Sequence, residues 1–93
     1  MKRELVYTAG FNRDARRWAK RHPATKSDIL AALAALEADA RQQSLRTHKL
    51  SGRLSPYYAC SAGYNIRILF EIIPHNGTEA IRLIELGTHD EVY

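Results

Sequence analysis

The spacing of hydrophobic positions changes along the chain, and each change marks an element. Arg3-Glu4-Leu5-Val6-Tyr7-Thr8 alternates weakly, the pattern of a short half-buried strand. From Phe11 the step lengthens. Phe11, Ala15, Trp18 and His22 recur at intervals of four, three and four, one stripe of a helix, while Arg13, Asp14, Arg16, Arg17, Lys20 and Arg21 cover the rest. His22-Pro23 ends this helix, because the residue before a proline is pushed out of helical geometry. A second helix is predicted from Asp28 to Arg41, with Thr25 and Ser27 offering cap oxygens, Ile29, Leu33, Leu36 and Ala40 along one side and Leu30 beside them. Joined by residues 22–26, the two form an antiparallel hairpin whose apolar side needs a sheet to cover.

Strand signals fill the remainder. Leu45 to Leu50 is followed by a turn from Ser51 to Pro56, then by Tyr57 to Ala62 and a tight turn at Gly63-Tyr64-Asn65. Residues 66–73 (Ile-Arg-Ile-Leu-Phe-Glu-Ile-Ile) are β-branched and aromatic, the strongest strand in the chain, with Pro74 expected to end it. His75-Asn76-Gly77 reads as a hairpin turn, since Asn-Gly tolerates positive φ, and Glu79 to Leu86 returns antiparallel. This order predicts an α+β domain spanning residues 1–93. A short N-terminal strand and a two-helix hairpin belong to a mainly antiparallel sheet of four or five strands, the helices covering one face. The other face is left open. Alternation puts Arg67, Leu69 and Glu71 on it, opposite Ile66, Ile68, Phe70 and Ile72. The last residues, Gly87 to Tyr93, read as a tail too short to form an element of its own.

Length and composition narrow the picture. A chain of 93 residues supports one core, and 45% hydrophobic with 26% charged residues is ordinary for a globular domain. No run approaches the roughly 18 apolar residues of a membrane span, and Met1-Lys2-Arg3-Glu4 opens no secretory signal, so a cytoplasmic location is expected. A lone cysteine, Cys60, cannot form an internal disulfide and reads as a small buried apolar residue. Charge is split: residues 1–53 carry a balance of +7 and residues 54–93 one of −3, recovering the total of +4. A basic half of this kind attracts a polyanion, of which nucleic acid is the commonest, or an acidic protein partner.

Five residues are expected to converge on the open face: His48 with Lys49, Arg67, and His89 with Tyr93. None has metal-ligand spacing, and neither a Gly-rich phosphate loop nor a Ser-His-Asp arrangement is present, so no metal or cofactor is expected. His22 reads as a helix-end residue and His75 as a solvated turn tip. A basic surface bearing histidines suits RNA cleavage, because RNA supplies its own nucleophile in the 2′-hydroxyl. The protein then needs a base for that proton, a cation for the phosphorane charge and an acid for the leaving 5′-oxygen. A plainly structural reading stands beside this one, in which Arg67 pairs with Glu71 or Glu85, His48 is a surface residue and Tyr93 packs as a cap.

Several segments together resemble one family. His48-Lys49-Leu50-Ser51-Gly52, Tyr57-Tyr58-Ala59-Cys60-Ser61, residues 65–72 and the ending Gly87-Thr88-His89-Asp90-Glu91-Val92-Tyr93 are similar to the RelE/ParE toxin superfamily, closest to its RelE/StbE and YafQ-like mRNA interferase members. The resemblance covers the whole chain in element order and residues 47–93 in motif. It implies a toxin of a type II toxin–antitoxin system, a metal-independent and ribosome-dependent mRNA endonuclease held inactive by a cognate antitoxin, with a toxin–antitoxin hetero-oligomer as the resting form. On that resemblance His89 is the general acid, His48 the general base, Arg67 the phosphate clamp and Tyr93 a base-stacking group. Lys49, Arg53 and Asn65 are substrate-binding residues. Ser61 stands where relatives can have histidine and Asn65 where they often have aspartate, which leaves the base role to His48. The alternatives within the same fold are a ParE-like inhibitor of DNA gyrase and a catalytically degenerate antitoxin-binding domain.

Overall fold

The computed structural model describes residues 2–54 and 56–93. Its elements are β1 (Glu4–Tyr7), α1 (Ala9–Arg21), α2 (Lys26–Ala38), β2 (His48–Lys49), β3 (Tyr58–Ala62), β4 (Ile66–His75), β5 (Thr78–Thr88) and α3 (His89–Val92). The strands make one five-stranded sheet in the order β1-β5-β4-β3-β2. β1 runs parallel to β5, and the other neighbours are antiparallel. Parallel neighbours need a long crossover. Here most of the chain, both long helices included, lies between them. The expected α+β arrangement is the one observed.

The helices bring Phe11, Ile29, Ala32 and Leu36 against Cys60, Ile66, Ile68, Phe70, Ile81, Leu83 and Leu86 of the sheet. Phe70 is fully buried and stacks on Tyr58 with ring centroids 5.6 Å apart. Each such large apolar side chain stabilises the fold by roughly 1.5–3 kcal/mol, and this cluster is what holds hairpin and sheet together. Asn76 and Gly77 both have positive φ (50° and 79°), as a two-residue hairpin turn between β4 and β5 requires.

Several expectations are corrected. Asp14 is buried rather than on the solvent side of α1. β1 ends opposite Leu83, so farther along β5 no strand covers that edge, and α1 lies there instead. Asp14 accepts the Leu86 N–H at 3.2 Å and pairs with Arg17 at 3.2 Å, which offsets the burial of its charge. Neither Thr25 nor Ser27 caps α2. Residues Pro23–Thr25 form a 3₁₀ turn that runs directly into Lys26, and the Thr25 hydroxyl donates back to the His22 carbonyl at 2.7 Å. Leu30 is 55% exposed, on the far side of α2 from the core.

The strand expected over residues 45–50 shrinks to His48–Lys49, because Gln43–Leu45 form a 3₁₀ turn and Arg46 adopts a left-handed conformation. Ser55, inside the expected turn, lies outside the described residues. Pro74 does not end β4 but continues it. β3 pairs with β4 only as far as Phe70, so the missing N–H of Pro74 falls where β4 has lost one neighbour. His75 is not simply solvated, since its Nε2 lies 3.6 Å from a Glu4 carboxylate oxygen. β5 runs on through Gly87 and Thr88, and the final residues form α3 rather than a loose tail. The second sheet face is therefore only partly open. Ala59 and Leu69, cross-strand partners outside the main core, are buried, and α3 packs on β4 and β5 with its Val92 buried.

Candidate active site

The short helix α3 positions the chemistry. Its first turn is closed by a reciprocal pair of contacts: the Thr88 hydroxyl accepts the Glu91 N–H at 3.3 Å, and the Glu91 carboxylate accepts the Thr88 N–H at 2.9 Å. Two otherwise orphaned donors are satisfied, so even four residues hold a defined shape. Gly87 permits this closure, since a Cβ there would stand 2.8 Å from the Glu91 carboxylate.

His89 and Tyr93 are four residues apart on this turn, the spacing that brings side chains together. Their rings meet nearly edge to face, 4.4 Å between centroids and 84° between planes. Tyr93 reaches across to β2, where its hydroxyl lies 3.3 Å from His48 Nε2. The other ring nitrogen, Nδ1, is 3.2 Å from the Arg46 carbonyl. A carbonyl only accepts, so Nδ1 carries the hydrogen and Nε2 presents a lone pair to the Tyr93 hydroxyl. Burial pushes the Tyr93 phenol above its usual range, with the nearby Arg67 cation pulling the other way, so the hydroxyl remains a donor at neutral pH.

Arg67 stands on β4 between Ser61 of β3 and Gly87 of β5, the residue before the Thr88 cap of α3. Its guanidinium donates to the Tyr64 and Ile66 carbonyls at 3.3 and 3.1 Å. Among the described residues no carboxylate pairs with it, because Glu71 is taken by Arg82. His89 is exposed, with Asp90 3.6 Å from its Nδ1.

Thus His48, His89 and Tyr93 come together with Arg67 beside them, and the other expected residues do not join. Lys49 pairs with Tyr58, whose ring stacks on core Phe70, so strand alternation turns Lys49 to the face opposite His48. It lines a separate hollow of about 290 Å³ with Arg3, Arg41 and Tyr58. Arg53 is exposed on the 3₁₀ turn Gly52–Leu54, and Asn65 is exposed in the turn entering β4. Sequence reasoning missed Arg46, whose carbonyl sets the His48 tautomer, and missed α3 itself. No local signal marks the first, but the second had one: Thr88-x-x-Glu91 is a capping-box pattern. Among the described residues no cluster of three His, Cys, Asp or Glu is placed to hold a metal ion.

The arrangement provides an imidazole whose Nε2 lone pair faces the Tyr93 hydroxyl, a second exposed imidazole, a phenol between them and a guanidinium that, among the described residues, no carboxylate pairs with. That set can accept one proton, donate another and bind an oxyanion.

Residues 3–93 match the protein family described as bacterial toxin of type II toxin-antitoxin system, YafQ. No curated protein sequence matches the chain. Among solved structures, YafQ from E. coli strain BL21(DE3) superimposes with a TM-score of 0.79 at 15% identity, covering 99% of each chain. The E. coli DinJ–YafQ toxin–antitoxin complex gives a TM-score of 0.75 at 16% identity, over 100% of this chain and 99% of that one. A YoeB/ParE toxin from Agrobacterium tumefaciens gives 0.77 at 14% identity, over 92% and 98%. At such identities these likenesses speak to the fold.

Proposed function

The chain belongs to the YafQ family of bacterial toxins of type II toxin–antitoxin systems, and from that premise we propose that it is an endoribonuclease that cleaves mRNA on the ribosome. The observation that carries this reading is the meeting of His48 and His89 through Tyr93, with Arg67 free of any carboxylate among the described residues.

In this reading the substrate 2′-hydroxyl displaces the Tyr93 hydroxyl from His48 Nε2 and gives its proton to that nitrogen. The 2′-oxygen forms a bond to phosphorus while the bond to the 5′-oxygen breaks, and protonated His89 supplies the proton that the leaving oxygen needs. The products are a 2′,3′-cyclic phosphate and a 5′-hydroxyl. Arg67 holds the non-bridging oxygens, and its charge-assisted contacts tighten as negative charge builds. Tyr93 keeps the His48 ring aimed until substrate arrives and then packs against a base. No metal step is needed, since both proton transfers and the charge have protein groups. Lys49 and Arg53, set apart from the cluster, add to the positive field that draws RNA in.

A cognate antitoxin is the expected partner, as in the DinJ–YafQ and YoeB–YefM complexes of similar fold. An acidic antitoxin segment suits the basic residues of the first 53 positions. The site of action would be the cytoplasm, where mRNA is translated. No helix among the described residues is long and apolar enough to cross a membrane.

The test is cleavage of a reporter mRNA in a translating extract, mapped by primer extension, for the parent and His89→Gln. Loss of a general acid costs about 10²- to 10⁴-fold in rate. A variant that cuts at the parental rate sinks the reading. Undiminished inhibition of gyrase supercoiling by the same variant would favour a binding toxin instead.

A further inference from the structure

A second hollow of about 310 Å³ opens beside the histidine cluster, lined by Ser44, Arg46, Ser61, Gly63, Tyr64 and Arg67. Its walls carry two guanidiniums, two serine hydroxyls and the Tyr64 phenol, and no acidic side chain. Among the described residues neither Arg46 nor Arg67 is in a salt bridge. Two like charges facing one water-filled space repel, and an anion placed between them relieves this.

Three features connect the hollow to the cluster. Arg67 belongs to both. The backbone of Arg46, which accepts the His48 Nδ1 hydrogen, has φ 51° and ψ 40°, a left-handed conformation that glycine adopts more readily. A cationic side chain is thus kept where the backbone alone favours glycine. Tyr64, at the rim, is 96% exposed and among the described residues takes part in no aromatic pair, so its ring faces solvent.

We propose that this hollow is a nucleotide subsite. A phosphodiester adjoining the scissile one sits between Arg46 and Arg67, and its unstacked base lies on Tyr64. The proposal rests on the endoribonuclease reading for the identity of its ligand. Forked guanidiniums bind carboxylates as well as phosphates, so an acidic peptide would satisfy the charges alone. The solvent-facing tyrosine ring favours a single-stranded nucleic acid, whose bases stack on such platforms.

The test uses a fluorescein-labelled, mixed-sequence 2′-O-methyl RNA hexamer, whose blocked 2′-oxygen prevents cleavage. Binding is followed by anisotropy from about 50 mM salt upward. Tyr64→Ala should weaken binding about 5- to 100-fold, while Tyr64→Phe binds like the parent. Arg46→Gly should weaken binding and reduce the log–log salt slope by about 0.7, the share of one phosphate contact on a single strand. Because glycine accepts the left-handed backbone, this variant should melt no lower than the parent, which separates a lost contact from a damaged fold.

Hexamer binding by the parent that is absent, or unchanged in both Arg46→Gly and Tyr64→Ala, overturns the subsite. So does a hexaglutamate peptide that binds as tightly with the same dependence on Tyr64, which would assign the hollow to a protein partner. Binding to a blocked substrate is read independently of cleavage. A catalytically inert parent that binds through Arg46 and Tyr64 keeps the subsite and rejects the nuclease, and an active parent with indifferent variants does the reverse.

Discussion

The same strands build both faces of the sheet, and the faces differ in what covers them. On one side two helices of 13 residues each close over Ile66, Ile68 and Phe70. On the other, beside the buried Ala59 and Leu69, the cover is a single four-residue turn carrying His89 and Tyr93. The first face holds the Cys60 thiol at its centre, where burial pushes it up to about 12 and keeps it protonated. The second gathers two imidazoles, a phenol and a guanidinium within reach of solvent. Stability and chemistry are thus divided between neighbouring residues of one strand, because successive side chains of β4 point to opposite sides.

Phe70 and Leu69 test that division most severely. They are adjacent and both buried, at 0% and 2% exposure. Phe70→Ala opens a cavity in the helix-covered core and should cost about 3–5 kcal/mol, measured by urea unfolding. Leu69→Ala should cost less, about 2–3 kcal/mol, since the thin cover over it settles more easily. Its effect on cleavage should exceed its effect on stability. Equal losses at the two positions, with cleavage tracking stability in both, would mean that the faces are not functionally distinct.

How far this division was legible in the sequence differs from element to element. The run from Ile66 to Ile73 and the Asn76-Gly77 turn were readable because they depend on local pattern and local φ. Asp14 was not, since its partner Leu86 lies 72 positions away and matters only because β1 stops short. Pro74 looked like a terminator because its position relative to the end of β3 is a tertiary fact. In the site, His48, Arg67, His89 and Tyr93 converge as expected. Lys49 could have been excluded from the cluster beforehand, because its strand neighbour His48 was already assigned to that face. Arg46 could not have been found, as nothing in Leu45-Arg46-Thr47 announces a left-handed residue.

The buried thiol sharpens the comparison on the helix-covered side. In the unfolded chain Cys60 ionises near its ordinary value of 9.0, and in the folded protein near 12. Below pH 9 both states hold the proton and the group adds no pH dependence. Above it the unfolded state gives up a proton that the folded state keeps, so stability falls as pH rises towards 12, by at most about 1.4 kcal/mol per pH unit. Tyr93, also shifted upward, acts in the same direction from an ordinary value of 10.0. Urea unfolding between pH 8 and 10 should show a shallower decline for Cys60→Ala than for the parent. Parallel slopes would mean that the thiol is reached by water in the folded state.

The smallest expected effect on stability falls on the thin cover and bears most directly on what it is for. Glu91→Ala removes one half of the reciprocal closure at Thr88 and should cost about 1 kcal/mol, the usual worth of a helix cap. Because α3 is a single four-residue turn beyond the end of β5, the loss should stay local: faster hydrogen exchange at the Thr88 amide, with the amides of Ile68 and Phe70 unchanged. The fraying turn no longer holds Tyr93 against His48 or His89 beside it, so cleavage should fall by more than the stability change accounts for. Thr88→Ser, which keeps the accepting hydroxyl, should restore neither loss when combined with Glu91→Ala, yet alone should behave like the parent. If Glu91→Ala frays α3 and cleavage is unaffected, the geometry of the turn is incidental, and the two faces differ in thickness of cover without differing in purpose.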